Sequence, residues 1–352
     1  MTKRILQLFT VLACIMCAQS VSAQDIHFSQ FYMSPLNLNP ALTGVMNCNT
    51  RMVVNYRNQW ATALNSDAFN TYSASYDQKI PVGRSDYFGI GGSLYGDVAG
   101  ASRFGTTQGR LSLAYSKKMG GYRKKAHYLV IGADGGFAQR RIDRNALQYP
   151  NQHDGDGGFD PFLSSGEIFD QNGFLYPDVS AGLLWFSVFD QYNNFYVGAS
   201  MSHLNQANQS FREDVFDPLF TRLTIHAGGQ FSTTPKMSVL PGFIYFAQGP
   251  HRQFNFGTSL RFNLGNSRLS AQSFQLGGWY RIGTNNEANL HSDALIFSTR
   301  FNYEHFNLGF SYDLTVSGFN EANFGVGAFE FSLGYEICGP ENRGVYLSLI
   351  HI

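Results

Sequence analysis

Phe306-Asn-Leu-Gly-Phe-Ser-Tyr-Asp-Leu314 alternates without a break. Phe306, Leu308, Phe310, Tyr312 and Leu314 fall on one side of an extended chain, while Asn307, Gly309, Ser311 and Asp313 fall on the other. A period of two is the period of a strand. Phe254 to Leu264 repeats the pattern, with Asn255, Gly257, Ser259, Arg261 and Asn263 on the polar side. Leu295 to Tyr303 does so again, with Ser298, Arg300 and Asn302. Such segments are as long as a tilted strand must be to cross a bilayer, roughly 9–11 residues. A globular strand usually has about five or six.

Composition points the same way. Of 352 residues, 43% are hydrophobic and only 14% charged, against about 25% charged in a soluble domain. A soluble sandwich would leave so many long strands with so few charges unexplained. The 25 Lys and Arg cancel the 25 Asp and Glu, so no net field favours nucleic acid or an acidic substrate. The 37 glycines and 15% aromatic residues suit strands and turns.

Lys3 and Arg4 precede an apolar stretch from Ile5 to Ala18, followed by Val21-Ser-Ala23. Residues 1–23 therefore read as a signal peptide cleaved before Gln24. Cys14 and Cys17 leave with it; Cys48 and Cys338 stay. Beyond residue 24 no apolar run is long enough for a spanning helix. Insertion must then use strands, and only a closed barrel pairs every backbone group in hydrocarbon. The expected fold is an all-β transmembrane antiparallel barrel of about 14 strands. The expected strands are 50–60, 68–79, 86–97, 103–118, 125–140, 176–189, 192–203, 220–232, 236–247, 251–264, 271–283, 293–303, 305–315 and 324–337. Odd-numbered connections, including the long 141–175 and 204–219, should face outward, and the mostly short even-numbered ones the periplasm. A change of apolar parity near Ala328–Phe329 predicts a bulge. Residues 24–49 are expected to form a periplasmic or plug segment, 50–338 the barrel and 339–352 a tail.

Gln24-Asp-Ile-His-Phe-Ser-Gln-Phe-Tyr32, then Pro35-Leu-Asn-Leu-Asn-Pro-Ala-Leu-Thr-Gly44, then Asn55-Tyr-Arg-Asn-Gln-Trp60, resemble the opening signature of the PorP/SprF family of type IX secretion outer-membrane proteins. Ser202-His-Leu-Asn205, Arg222 to Gly228 and Gly309 to Ser317 extend the resemblance to about Cys338. It implies a bacterial outer-membrane barrel whose partners are type IX secretion components and an exported surface protein, often linked to gliding. The implied role is non-enzymatic: to receive or anchor that exported protein at the cell surface. Two alternatives are a structural component tied to periplasmic machinery and a passive porin-like channel. The tail departs from barrels that end on an aromatic residue.

Phe28, Gln30, Phe31, Asn39, Pro40, Arg57 and Trp60 are the candidate partner-binding or plug residues. An extended plug in the barrel mouth, beginning on the periplasmic side, is preferred over an exposed docking strip, which would invite aggregation. Arg51, Arg57, Arg261, Arg281 and Arg300 share the inward face with Asp77, Asp313, Glu330 and Glu336. Both signs are present, so paired charges in a plugged lumen are preferred over a wide pore. Asp154, Asp156 and Asp160 form a weak Ca²⁺ candidate without the distal Glu of a complete loop; a solvated Asp/Gly turn is preferred, and no other cofactor is expected. Cys48 precedes the first strand and Cys338 follows the last, which are neighbours in a closed barrel, so a disulfide is expected in the oxidising periplasm. No His-x-x-x-His pair, Gly-x-Ser-x-Gly elbow or phosphate loop is present. His203 and His226 lie near strand ends and could join a serine in a lipase, but no spacing singles them out.

Overall fold

The computed structural model describes residues 25–122, 125–153, 158–167, 171–190, 192–264, 272–284, 289–317 and 326–338. Its strands are β1 (Thr50–Gln59), β2 (Phe69–Val82), β3 (Asp86–Ala99), β4 (Phe104–Gly120), β5 (Ala126–Arg141), β6 (Gly173–Val188) and β7 (Asn194–Ser202). They continue with β8 (Arg222–Thr234), β9 (Met237–Gln248), β10 (His251–Asn263), β11 (Gln272–Thr284), β12 (Leu290–Tyr303), β13 (Phe306–Thr315) and β14 (Val326–Ile337). Each pairs antiparallel with its neighbours in the chain, and β1 pairs with β14, closing the barrel. All fourteen expected segments are strands. The register shift opposite Asp313 and Leu314 skips Gly327, one residue from the expected bulge.

Closure leaves no edge, and alternation sorts the side chains. Met52, Val54, Tyr72, Ile90, Leu94, Leu111, Leu113, Phe297, Phe310 and Phe331 stand exposed on the outer wall. In water such a surface would aggregate; in a bilayer it faces hydrocarbon. No described helix is long and apolar enough to cross a membrane, so the strands do the crossing. One end of the barrel carries short turns and both ends of the strand sequence; the other carries the long connections 142–172 and 203–221. In outer-membrane barrels the short-turn end is periplasmic.

The interior corrects one expectation. It is not uniformly polar: Tyr128, Val130, Leu184, Phe186, Val188, Ile244, Trp279 and Ile296 are buried in a core with Phe31, Tyr32, Leu38, Ala41, Leu42 and Val45. Strand parity fixes which positions turn inward, but whether they meet water or another part of the chain depends on what fills the lumen. Here it is the segment before β1.

Candidate functional site

Residues 25–49 run inside the barrel. Three short helical turns, Phe31–Met33, Pro35–Leu38 and Pro40–Leu42, compact the segment; Pro35 and Pro40 start two of them, where their fixed φ costs nothing. The sequence suggests an extended plug in the barrel mouth, whereas helical turns satisfy backbone groups locally where no sheet edge is free.

The direction of the segment is a second correction. Asp25, the first described residue, sits beside Gln248 at the end of β9 and His203 just after β7, at the long-loop end. Ser29 and Gln30 donate their backbone N–H groups to Glu330 at 2.5 and 2.9 Å. Gly44 donates to Asp77 (2.8 Å), near the start of β1. The segment thus descends the lumen from the long-loop end to the short-turn end before entering β1. No sequence periodicity records this, because the fixing contacts join residues from 33 to 301 positions apart.

Charged wall residues clamp it. Arg51 pairs with Asp77 (2.8 Å) and donates to Leu42 O (3.2 Å). Arg57 pairs with Glu330 and with Asp313 (3.1 Å) and donates to Ser29 Oγ (2.8 Å). Arg281 pairs with Asp293 and with Asp313 (2.9 Å) and reaches the same hydroxyl (3.0 Å). Buried charges are tolerated when paired and fully hydrogen-bonded. The preferred paired-charge reading therefore describes Arg51, Arg57, Arg281, Asp77, Asp313 and Glu330. Arg261, Arg300 and Glu336 depart from it: they also turn inward, but among the described residues none lies within 4.0 Å of an opposite charge.

Asn39 is a fully buried polar anchor. Its Nδ2 lies 3.1 Å from Leu183 O, 3.2 Å from Ala199 O and 3.0 Å from His226 Nε2, while its Oδ1 accepts from Ala41 N–H (2.8 Å). Glycines open the wall for the segment. A Cβ at Gly132 would meet Pro40 and Ala41 at 2.5 Å, and one at Gly182 would collide with Asn39. Phe31 packs edge-on against Trp279, with ring centroids 5.3 Å apart. Of the remaining candidates, Phe28 and Pro40 are buried. Gln30 lies over Gly309. Trp60 stands apart from the anchors, its ring packed at a tilt against Phe69 (centroids 5.0 Å apart) where β1 gives way to the first connection.

At the long-loop end His203 bridges two carboxylates, Asp25 and Asp178 (2.8 Å). Burial pulls its imidazole down, but Asp25 and Asp178 outweigh this and raise it to about 9. It is therefore a cation at neutral pH. Burial opposes charge on Asp25, yet His203 and Arg222 hold its carboxyl far below the usual range. Arg222 also donates to Ile26 O at 2.9 Å. His203 and His226 thus fasten the N-terminal segment, a role that spacing alone did not indicate. The motifs scattered along the sequence, Asp25 with His203, Asn39 with His226, and Arg57 with Asp313, are the two halves of single contacts.

A profile described as type IX secretion system membrane protein PorP/SprF matches residues 20–335. The chain belongs to this PorP/SprF family. Among solved structures it is similar to the toluene transporter TbuX of Ralstonia pickettii, at 10% identity over 87% of this chain and 94% of that one, TM-score 0.43. It is also similar to the CymD monoaromatic hydrocarbon channel, at 11% identity over 91% and 95%, TM-score 0.46. The transport unit of the autotransporter AIDA-I from Escherichia coli matches at 9% identity over 88% and 99%, TM-score 0.34. No curated protein matches the chain. As a PorP/SprF barrel, the protein resides in the bacterial outer membrane.

Cys48 and Cys338 are joined by a disulfide at the short-turn end, with Cα atoms 4.2 Å apart, across the β1–β14 seam. Asp154 and Asp156 lie outside the described residues. Asp160 is described, and its Oδ1 accepts from Phe162 N–H (2.9 Å) as an Asx turn. Among the described residues no group of three His, Cys, Asp or Glu is placed to hold a metal. Connection 203–221 folds back onto the wall: Leu219 is buried with Ala138 and Tyr176, and Phe211 packs on Phe174 (5.1 Å).

Proposed function

We propose that this PorP/SprF protein receives or anchors an exported protein at the cell surface as a partner of the type IX secretion machinery. The observation that carries the reading is a contrast at the long-loop end. The lumen is occupied by residues 25–49, yet apolar side chains stand uncovered on the surrounding loops. Phe162 is 96% exposed and Phe216 is 71% exposed, with Leu163 and Val215 beside them in sequence and also exposed. A filled lumen disfavours passive diffusion, and uncovered apolar loop residues favour contact with another protein. Family and fold fit a secretion component rather than an enzyme.

The test pairs a gene deletion with a surface-protein inventory by mass spectrometry. Loss of one exported protein from the surface, reproduced by the double variant Phe162→Ser/Phe216→Ser, supports anchoring. A general loss of exported proteins indicates core machinery instead. Purified protein in liposomes should pass almost no current, and a steady porin-like conductance would refute the reading of the lumen as closed.

A further inference from the structure

At the short-turn end, strand register sets three donors in a row. Arg261 of β10 pairs across the sheet with Gln275 of β11, and Gln275 pairs with Arg300 of β12. All three turn inward. Arg261 donates only to neutral groups, Ser273 Oγ (3.2 Å) and Gln230 Oε1 (3.3 Å). Arg300 donates Nε–H to Asn302 Oδ1 (3.0 Å). Its Nη1, and Nε2 of Gln275, are buried without a partner, and each residue is only 4% exposed. Arg51, Arg57, Arg110, Arg222 and Arg281 each lie within 4.0 Å of a carboxylate. Among the described residues Arg261 and Arg300 do not, and neither does Arg140, which donates to Thr106 Oγ1 (3.3 Å) and Gln209 Oε1; the row joins two such arginines.

Gln275 of the row lines a cleft with Phe31, Tyr32, Gln230, Ser259 and Trp279, and Arg261 reaches the wall of that cleft through its hydrogen bond to Gln230. The cleft measures about 30 Å³. That is room for about two waters or one carboxylate group. Gln230, near the end of β8, and Asn194, the first residue of β7, line the cleft and place it in the short-turn half of the barrel.

We propose that Arg261, Gln275 and Arg300 form a carboxylate-binding site facing the periplasm, which takes an acidic group from a peptide segment of a periplasmic partner. The planar guanidinium fork matches a carboxylate, and a buried cation without a counter-charge is unfavourable until one arrives. Charge selects a monoanion. Glu336 of β14 is the carboxylate whose field reaches both arginines, and it is held by Asn307 Nδ2 (3.3 Å). Arg51, whose field also reaches Arg300, is neutralised by Asp77. The two arginines and Glu336 together leave a single net positive charge, which one carboxylate cancels and a phosphate dianion overshoots. The site goes beyond the proposed surface role, at the opposite end of the barrel.

The full-length protein in nanodiscs is titrated calorimetrically with N-acetyl-triglycine, its C-terminal amide, N-acetyl-aspartate amide and inorganic phosphate. The acid should bind at least about tenfold more tightly than the amide. Tighter binding of the aspartate compound than of the triglycine acid would identify a side-chain carboxylate as the donor; the reverse would identify a chain terminus. Arg300→Gln and Arg261→Gln should each weaken acid binding about tenfold, and Glu336→Gln should strengthen it. Arg261 is partly exposed, so its variant preserves the test if Arg300→Gln does not fold. Equal binding of acid and amide to the wild type overturns the proposal, as does phosphate binding as tightly as the acid. The liposome and surface-protein experiments read the other end of the barrel and stand or fall separately.

Discussion

Replacing His203 with alanine is the sharpest test of how the N-terminal segment is held. In the native barrel the imidazolium lies between Asp25 and Asp178. Without it the two carboxylates share a buried site, and Asp25 keeps as cations Arg222, 3.9 Å away, and the weaker field of Arg140. Breaking a buried pair by removing one partner costs about 3–5 kcal/mol. The rise of the imidazole from 6.5 to about 9 independently corresponds to on the order of 3 kcal/mol. Local opening of residues 25–29 should therefore become a hundredfold or more easier, by roughly tenfold for each 1.4 kcal/mol. Hydrogen exchange of the peptide covering 25–32, followed by mass spectrometry in micelles, reads that opening directly. The pH dependence has a definite sign. His203 is raised, so its contribution is complete below about 6.5 and disappears as pH climbs through about 9. Asp25 is depressed, so its contribution holds above 3.8 and is lost on further acidification. After correction for intrinsic exchange, wild-type protection should be greatest between about pH 4 and 6.5 and decline toward pH 9. Exchange in His203→Ala within roughly threefold of wild type would refute the clamp.

Gly132→Val should force Pro40 and Ala41 off the wall, costing at least about 1–3 kcal/mol, and appear as current through liposomes that the wild type does not pass. Cys48→Ser/Cys338→Ser opens a covalent loop with a sequence separation of 290; it should lower barrel stability by up to about 5–6 kcal/mol on chain-entropy grounds, read as a lower temperature of gel-mobility shift. Leu111→Arg puts a charge on the lipid face of β4, where Leu111 is exposed. It should cost about 2–4 kcal/mol in a refolding titration, whereas Ser112→Ala, on the inward face, should cost far less.

The barrel itself was legible along the chain. Alternation over Phe254–Leu264, Leu295–Tyr303 and Phe306–Leu314 is a local property, since neighbouring Cβ atoms must point to opposite faces. The number of strands, their approximate limits, the lipid-facing aromatics and the nearness of Cys48 to Cys338 all follow from it. The contents of the lumen were not legible, because nothing local distinguishes an inward position facing water from one facing the chain's own N-terminus. Gly132 and Gly182 read as weak strand residues until Pro40 and Asn39 are seen against them. His203 and Asp25 read as unrelated polar groups until closure brings together residues 178 positions apart. Arg261, Gln275 and Arg300 lie on three separate strands and become one row only through the register. Periodicity therefore determined the wall, whereas the direction of the N-terminal segment, its anchors and the periplasmic donor row were decided by tertiary structure. Those features depend on long-range contacts, which have no period.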